Sequence, residues 1–232
     1  MNEGIKTQAT TIRHESAIKI AYKVSNRFLY RLIKRLFDLC AGLIGLIVLI
    51  PVALITKISY LLSGDKEPIF FVQKRIGKDG KLFNFYKFRT MIPNADAELE
   101  RLLREDPKLK EEYRINKKLN NDPRITKMGK KLRKYSLDEL PQVINIFLGQ
   151  MSVIGNRPYL PREKDDMGVA YNTIVATKPG LTGYWQVHGR NDVTFERRVE
   201  LESYYSEHCG ILMDIGIFFK TFKVVLFGRG AK

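Results

Sequence analysis

Two adjacent acids, Asp138 and Glu139, stand at the head of an apolar run in a chain that is otherwise strongly basic. Within KYSLDELPQVINIF, Ser136 and Glu139 match the S-x-x-E capping box, whose side chains only close the start of a helix. Pro141 favours a helix that begins at Asp138, because the proline then falls in the first turn, where no backbone donor is lost. Both carboxylates would then lie at the positive end of the helix dipole, which attracts anions and phosphates. A helix cap and a chemical site both remain open.

The chemistry that such acids could perform is attack on a phosphoryl group. A carboxylate nucleophile and a phosphate repel each other, and a divalent cation together with nearby Arg and Lys side chains would remove that obstacle. Oxygen ligands and phosphate suit Mg²⁺ or Mn²⁺. The basic residues that the sequence offers for this role are Lys87, Arg89, Arg133 and Arg157. Each alone is more often a solvated surface charge, so only their convergence would make a site.

The charge balance of the chain predicts a polyanionic partner. The 232 residues include 40 Lys and Arg against 25 Asp and Glu, which gives a formal charge of +15. Nucleic acid, an anionic membrane surface and phosphate-bearing substrates are the candidates. Cys40 and Cys209 lie in apolar stretches without a C-x-x-C motif, which argues against a zinc site or a disulfide framework and predicts buried thiols. The length suits one catalytic domain with an accessory segment.

The segment from Leu39 to Thr56 is the longest apolar run in the sequence. Its uncharged stretch of about 18 residues would form roughly 27 Å of helix, which is marginal for crossing a bilayer. Pro51 lies inside it and favours a kink or a break. Lys and Arg residues flank both ends, and such flanks favour the cytoplasmic side, so both ends are predicted on one face of the membrane. A re-entrant helix satisfies this pattern; a buried core helix and a single span are the alternatives.

The elements that must position the acids are read from local patterns. An amphipathic basic helix is predicted before the apolar run, within residues 1–33. After Gly64, two strands are expected around an Asp-Gly turn, and Lys87 and Arg89 project from the second. An exposed charged helix that ends at Pro107 and a basic helix from Ile125 to Tyr135 follow. A proline-rich loop would hold Arg157, and the apolar C-terminal helix is predicted to be a core or interfacial helix.

Several motifs of the chain together resemble those of the bacterial sugar transferases. These enzymes are monotopic phosphoglycosyltransferases that load a hexose-1-phosphate onto undecaprenyl phosphate. The motifs are KRLFD before the apolar run, KFRTM, DPRIT, SLDELPQ, and KPGLTGYWQVHGRND. Their order and spacing argue against chance agreement, and the likeness extends from Lys34 to Lys232. The family often has Ser-Pro where this chain has Ile50-Pro51, and Gly-Pro-Arg-Pro around the position of Arg157, where this chain has Gly-Asn-Arg-Pro.

The resemblance implies a fold class and a domain organisation. The fold is expected to be α+β and mostly helical, with an N-terminal re-entrant membrane helix-break-helix and a membrane-associated catalytic domain that contains a small β-hairpin. The expected domains are an N-terminal extension (1–33), the re-entrant helix (34–62) and a cytoplasmic catalytic domain (63–232). The helix would break near Pro51, and its cytoplasmic entrance would carry Lys34, Arg35 and Asp38.

The resemblance also implies the roles of the site residues. Asp138 is expected to be the nucleophile that forms a covalent phosphosugar intermediate, and to be the metal ligand. Glu139 would help to position the metal and phosphate, or act as a base. Arg133 and Arg157 would bind phosphates, and Mg²⁺ is the expected cofactor.

The function that follows is the first membrane step of exopolysaccharide, capsule or O-antigen synthesis. The implied partners are a UDP-hexose, with galactose or glucose favoured, undecaprenyl phosphate and anionic membrane lipids. A homodimer is compatible with this function, and no nucleic acid is expected. The implied location is the bacterial inner membrane, with the catalytic domain on its cytoplasmic face. Two rival hypotheses are a membrane-anchored, metal-dependent phosphodiesterase and, more remotely, a basic nucleic-acid-binding protein.

Overall fold

The computed structural model describes residues 28–116, 119–189 and 193–227. Within these residues the fold is mostly helical with small sheets, which confirms the predicted class. The amphipathic helix that the sequence predicts before the apolar run lies largely outside the described residues, as does the end of the HGRND motif.

The predicted membrane segment is part of one long helix, α1 (Phe28–Leu62), which contains Pro51. Its 35 residues correspond to about 52 Å of helix, well above the ~30 Å thickness of a hydrocarbon core. The helical assignment continues through Pro51, so the segment is not divided into two separate elements. Proline removes one backbone donor, and a long helix accommodates that loss as a kink without ending.

One stripe of α1 is buried against the protein and the rest of its surface is apolar and exposed. The buried positions are Asp38, Gly42, Leu49, Thr56 and Tyr60, which recur at intervals of four or seven residues. Exposed side chains include Leu43, Ile44, Ile47, Ile50, Leu54 and Ile55. Among the described residues, α1 is the one helix that is long and apolar enough to cross a membrane. An apolar surface of this extent is suited to lipid and not to water.

Contacts group the described residues into two compact units, each built from separated parts of the chain. The first comprises the described residues of Met1–Ile44, Gln73–Phe85 and Gln142–Lys232, and the second comprises those of Gly45–Val72 and Tyr86–Pro141.

The predicted hairpin is confirmed. Strands β1 (Phe70–Ile76) and β2 (Leu82–Phe88) form a two-stranded sheet, and their short connection allows only antiparallel pairing. Asp79 and Gly80 in the connection have φ of 57° and 76°. This left-handed conformation is the one that Asp-Gly sequences favour in tight turns.

The second unit contains three helices that follow the hairpin: α2 (Ala95–Glu105), α3 (Pro107–Asn116) and α4 (Lys127–Lys134). The sequence predicts that Pro107 ends the charged helix and that a polar stretch follows. Instead, this proline begins α3, because its fixed φ and missing N–H suit the first position of a helix. The basic helix α4 is confirmed and is two residues shorter at its start than predicted.

The first unit contains a second small sheet that the sequence did not reveal. Strands β3 (Ser152–Ile154) and β4 (Gly180–Thr182) pair in parallel, with Ser152 opposite Gly180. Besides the first part of α1, the described residues of this unit form α5 (Gln142–Phe147), α6 (Tyr171–Val175), α7 (Tyr184–His188), α8 (Phe195–His208) and α9 (Ile211–Phe227). One core cluster joins Ile154, Tyr205, Cys209 and Ile217. Another joins Phe83, Phe85, Ile146 and Met151.

Helix α9 buries one face and exposes an apolar one. Ile217 and Asp214 are buried, whereas Leu212 and Phe219 are 86% and 67% exposed. The helix is therefore both a core helix and a candidate for contact with a membrane surface. Cys209 is buried as predicted, but the prediction of a second buried thiol is wrong: Cys40 is exposed, because it lies outside the buried stripe of α1.

Candidate active site

The acids Asp138 and Glu139 lie in a short 3₁₀ turn, Leu137–Glu139, and not in an α-helix. Ser136, the expected cap, has a left-handed backbone (φ 54°) and its side chain makes no capping hydrogen bond. Both helical registers suggested by the sequence are therefore wrong, and α5 begins only at Gln142. Pro141 explains the late start, because it has no N–H with which to extend the 3₁₀ turn into a helix.

The helix dipole therefore does not explain the chemistry of these acids. Helix α5 has only 6 residues, and it begins after the proline that follows the acids. The charges around Asp138 must come from side chains, and two cations of the second unit supply them.

Lys87 and Arg133 are the cations that act on Asp138. Lys87 at the end of β2 donates a hydrogen bond of 2.7 Å to Glu139 Oε1. Burial raises the pKa of the Asp138 carboxyl above its ordinary value, and the charge of Glu139 raises it further, whereas Lys87 and Arg133 lower it. The structure thus brings together two acids and two cations that the sequence predicted for one site.

Arg133 lies in the last turn of α4, and Thr90 orients it. The Arg133 Nε donates a hydrogen bond of 3.0 Å to Thr90 Oγ1, and the residue as a whole is exposed. When the Nε of a guanidinium is engaged, its two terminal nitrogens can still donate a pair of hydrogen bonds to phosphate oxygens.

Contacts of the DPRIT segment and of Gly129 fix the position of α4. Asp122 and Arg124 form a buried ion pair of 2.6 Å before the helix. Thr126 caps α4, since its Oγ1 accepts the Gly129 N–H at 2.8 Å. Gly129 lies so close to Thr90 that a Cβ atom there would be 2.0 Å from the Thr90 carbonyl oxygen. Only glycine allows this approach.

Arg89, the third predicted cation of this region, is engaged elsewhere in the second unit. Its guanidinium forms two hydrogen bonds with the Asp65 carboxylate, of 2.8 and 3.0 Å. It also donates to the Pro68 carbonyl at 2.7 Å and lies over the Tyr60 ring. These contacts clamp the end of α1 to the end of β2, and a phosphate-binding role for Arg89 stays a prediction.

Arg157, the fourth predicted cation, belongs to the first unit, in the loop after β3. Its backbone N–H donates a hydrogen bond of 2.8 Å to Glu202 Oε1. Glu202 lies in α8 and is 1% exposed. Sequence reasoning missed Glu202, because an acid within a helix that carries many charges gives no signal that it is buried.

Glu202 supports the Arg157 loop, and its surroundings shift the pKa of its carboxyl group. Burial raises the pKa of the Glu202 carboxyl to about 7, although the Arg157 N–H, Tyr159 and the charges of Arg157 and Arg198 lower it. An acid with a raised pKa in the folded protein favours folding when it is protonated.

Replacement of Glu202 by Gln is expected to flatten the dependence of stability on pH. An unfolded Glu titrates near pH 4.3, so at pH 5 to 7 unfolding releases the proton that the folded protein retains at Glu202. The free energy of unfolding of the unmodified chain should therefore fall by roughly 2 to 3 kcal/mol more than that of Glu202→Gln between pH 5 and 8. Denaturant unfolding of both proteins at the two pH values measures this difference, and parallel pH profiles would contradict it.

The predicted membrane-entrance residues attach α1 to the first unit. Asp38 is buried, and its Oδ1 accepts the Ser152 hydroxyl at 2.9 Å and the Val153 N–H at 2.8 Å. Lys34 pairs with Asp214 of α9 at 2.5 Å. Asp214, a charge within the otherwise apolar α9, is therefore a partner of α1.

Arg35 completes this attachment. Its two terminal nitrogens donate hydrogen bonds of 2.8 Å to the carbonyls of Ile146 and Phe147, at the end of α5. These carbonyls lie in the last turn of the helix, where a cation is favourable. The Ile146 carbonyl also accepts the Gly149 N–H at 2.9 Å.

Together these features define a protein with a helix able to enter a membrane and a cation-flanked pair of carboxylates suited to phosphate chemistry. The family comparison agrees, since residues 29–228 match the family model described as bacterial sugar transferase. The chain belongs to the bacterial sugar transferase family.

Characterised relatives extend the likeness. The undecaprenyl-phosphate galactose phosphotransferase of Salmonella typhimurium is 43% identical over 90% of this chain, and the match spans 43% of that protein's length. The exopolysaccharide production protein ExoY of Sinorhizobium fredii is 40% identical over 85% of this chain and 87% of its own length. An Aeromonas hydrophila relative named UDP-N-acetylgalactosamine-undecaprenyl-phosphate N-acetylgalactosaminephosphotransferase is 32% identical over 88% of this chain and 46% of its own. The chain thus spans less than half the length of some relatives that it matches.

Proposed function

We propose that this chain transfers hexose-1-phosphate from a UDP-hexose, either UDP-galactose or UDP-glucose, to undecaprenyl phosphate. The product would begin an exopolysaccharide, capsule or O-antigen. The observation that carries the proposal is the setting of Asp138, a half-buried carboxylate beside Lys87 and Arg133 in a chain that also carries a lipid-suited helix. The names of the Salmonella and Sinorhizobium relatives support the lipid acceptor and the polysaccharide product.

The proposed reaction has two displacements at phosphorus. In the first, an Asp138 carboxylate oxygen attacks the β-phosphorus of the UDP-hexose, the bond from this phosphorus to the bridging oxygen breaks, and UMP leaves. A phosphosugar is then bound to Asp138 as an acyl phosphate. In the second, a phosphate oxygen of undecaprenyl phosphate attacks the same phosphorus. The bond to Asp138 breaks, the carboxylate is restored, and the hexose is joined to the lipid through a diphosphate.

The neighbours of Asp138 have separate roles in this scheme. Lys87 and Arg133 favour the ionised form of Asp138, which is the nucleophilic form. Arg133 would also bind phosphate oxygens through its terminal nitrogens, and Arg157 is proposed to do the same. Glu139, held by Lys87, would position the phosphate or act as a base.

The two carboxylates, Asp138 and Glu139, also fit a divalent cation that binds together with the substrate phosphates. The described residues contain no group of three or more His, Cys, Asp or Glu side chains able to hold a metal alone. Asp138 and Glu139 suit Mg²⁺ or Mn²⁺, which bind through one or two carboxylates and take further ligands from substrate phosphates and water. A cation bound by Asp138 would offset the repulsion between the carboxylate and the phosphate.

We further propose that α1 is re-entrant. Among the described residues it is the one helix long and apolar enough to enter a membrane, and Lys and Arg residues flank both ends of its apolar run. Such flanks favour the cytoplasmic face of the bacterial inner membrane, so both ends of α1 would lie on that side.

The proposal is tested with the purified full chain in detergent or nanodiscs, Mg²⁺ and a panel of UDP-sugars labelled in the hexose. Label is expected to move to undecaprenyl phosphate, with one UMP released per lipid product, for UDP-galactose or UDP-glucose. Failure of every UDP-sugar to release UMP would refute the proposal. Release of free hexose-1-phosphate without transfer to lipid would identify a phosphodiesterase instead.

A further inference from the structure

A cavity of about 340 Å³ lies in the first unit, beside the first turns of α1. Its walls include Arg31 and Lys34 on α1, Lys78 in the β-turn, and Lys178 just before β4. All of its lining residues belong to the first unit, whereas Asp138 belongs to the second. None of the roles proposed above uses this cavity.

The charges around the cavity do not balance. Five cations line it, Arg35 being the fifth, and the one carboxylate in its wall is Asp38. That carboxylate already accepts hydrogen bonds from Ser152 and Val153. The positive charges therefore exceed the negative charge that faces them.

Two of the five cations are used to attach α1, and three are not. Lys34 is paired with Asp214, and Arg35 with the carbonyls at the end of α5. Lys78 has only a loose contact with Asp79, at 3.9 Å. Within the described parts of the chain, Arg31 and Lys178 form no ion pair of 4.0 Å or less. These three side chains could turn to a ligand without breaking the attachment of the helix.

The surroundings of Lys178 disfavour its positive charge. It is half-buried, and burial lowers the pKa of its ammonium group, which the charges of Arg35, Lys78 and Lys34 lower further while Asp38 opposes them. Positive charges that line one cavity repel each other, and a bound anion would reduce this repulsion.

The shape and position of the cavity indicate what the anion is. The cavity is large enough for a phosphate group with part of its substituent, and Tyr30, Tyr205 and Cys209 supply a less polar wall. It opens beside the start of the helix suited to lipid, where basic pockets bind the phosphates of lipid headgroups. We propose that this cavity binds a phosphate group, held by Arg31, Lys78 and Lys178. Its position favours a lipid headgroup as the source, and a soluble phosphate compound has the same chemistry.

The test measures thermal unfolding of the full chain in neutral detergent, at constant ionic strength, with two probes. Inorganic phosphate represents the soluble source, and phosphatidic acid in the micelles, compared with phosphatidylcholine, represents the headgroup. A ligand at about 100 times its Kd should raise Tm by roughly 5 °C or more. A rise with phosphatidic acid alone supports the headgroup, and a rise with inorganic phosphate supports a phosphate site open to soluble ligands. No rise with either probe would overturn the proposal.

Lys178→Gln separates a binding site from a general charge effect. Without a probe its Tm should equal or exceed that of the unmodified chain, because repulsion is relieved, and its apparent Kd for the effective probe should be at least about tenfold weaker. Lys110→Gln removes the same charge from an exposed position of α3 and should keep the full response. Equal responses of the two variants would overturn the proposal. The readout requires no sugar transfer, so its failure is separate from failure of the proposed reaction.

Discussion

Asp138→Asn is expected to stop the release of UMP from the UDP-hexose, with a residual rate lower by about 10⁴-fold or more. Asparagine keeps the shape of the side chain, but its amide oxygen carries no charge and cannot form the acyl phosphate. Both proposed displacements depend on the carboxylate, so transfer to lipid should fall with UMP release. A coupled assay for UMP and extraction of labelled lipid measure the two steps.

The Asp138→Asn variant should be folded. An unchanged unfolding temperature would show that its loss of activity comes from lost chemistry and not from a damaged structure. Burial disfavours the charged form of Asp138, so a neutral isostere should unfold at the same temperature as the unmodified chain or slightly above it. Asp166→Asn, at an exposed acid in the 3₁₀ helix before α6, makes the same chemical change and should retain full activity. If Asp138→Asn transferred sugar at the unmodified rate, the covalent mechanism would be wrong.

Gly129→Ala is expected to destabilise the protein by about 3 kcal/mol or more, which lowers Tm by roughly 6 to 12 °C. The added Cβ would be 2.0 Å from the Thr90 carbonyl oxygen and 2.7 Å from its carbon, and both atoms are backbone. Helix propensity alone predicts the opposite sign, because alanine is favoured over glycine in a helix by about 1 kcal/mol. Thermal unfolding therefore distinguishes the two effects: a lower Tm for Gly129→Ala indicates the steric clash, and a higher Tm indicates helix propensity.

A matched substitution and an activity measurement complete this prediction. Gly216→Ala, in α9, meets no atom within 4 Å and should leave Tm unchanged or raise it slightly. Because Gly129 and Arg133 lie on the same helix, displacement of α4 should also reduce the rate of transfer in the protein that remains folded. If Gly129→Ala unfolded at the same temperature as Gly216→Ala, the close packing of α4 on Thr90 would be disproved.

Elements with local causes could be predicted from the sequence. The hairpin depends on the Asp79-Gly80 turn, whose left-handed backbone is favoured by these residue types. Helix α4 begins after Thr126, whose side chain caps it without help from distant residues. The start of α5 was predicted wrongly because the proline before it is compatible with several local registers. The parallel pair β3–β4 gave no signal, since each strand has 3 residues and pairing depends on a distant segment.

The amino-acid sequence by itself determined that this chain carries a lipid-suited helix, an adjacent pair of acids and a surplus of cations, because composition, caps and turns act over a few residues. Only the tertiary structure decided which cation meets which acid. Lys87 reaches Glu139, whereas Arg89, two residues further on, is held by Asp65. Strand periodicity would place positions 87 and 89 on the same face, and Arg89 lies just beyond the end of β2. Their different partners come from segments distant in the sequence, whose contact depends on the packing of the whole unit.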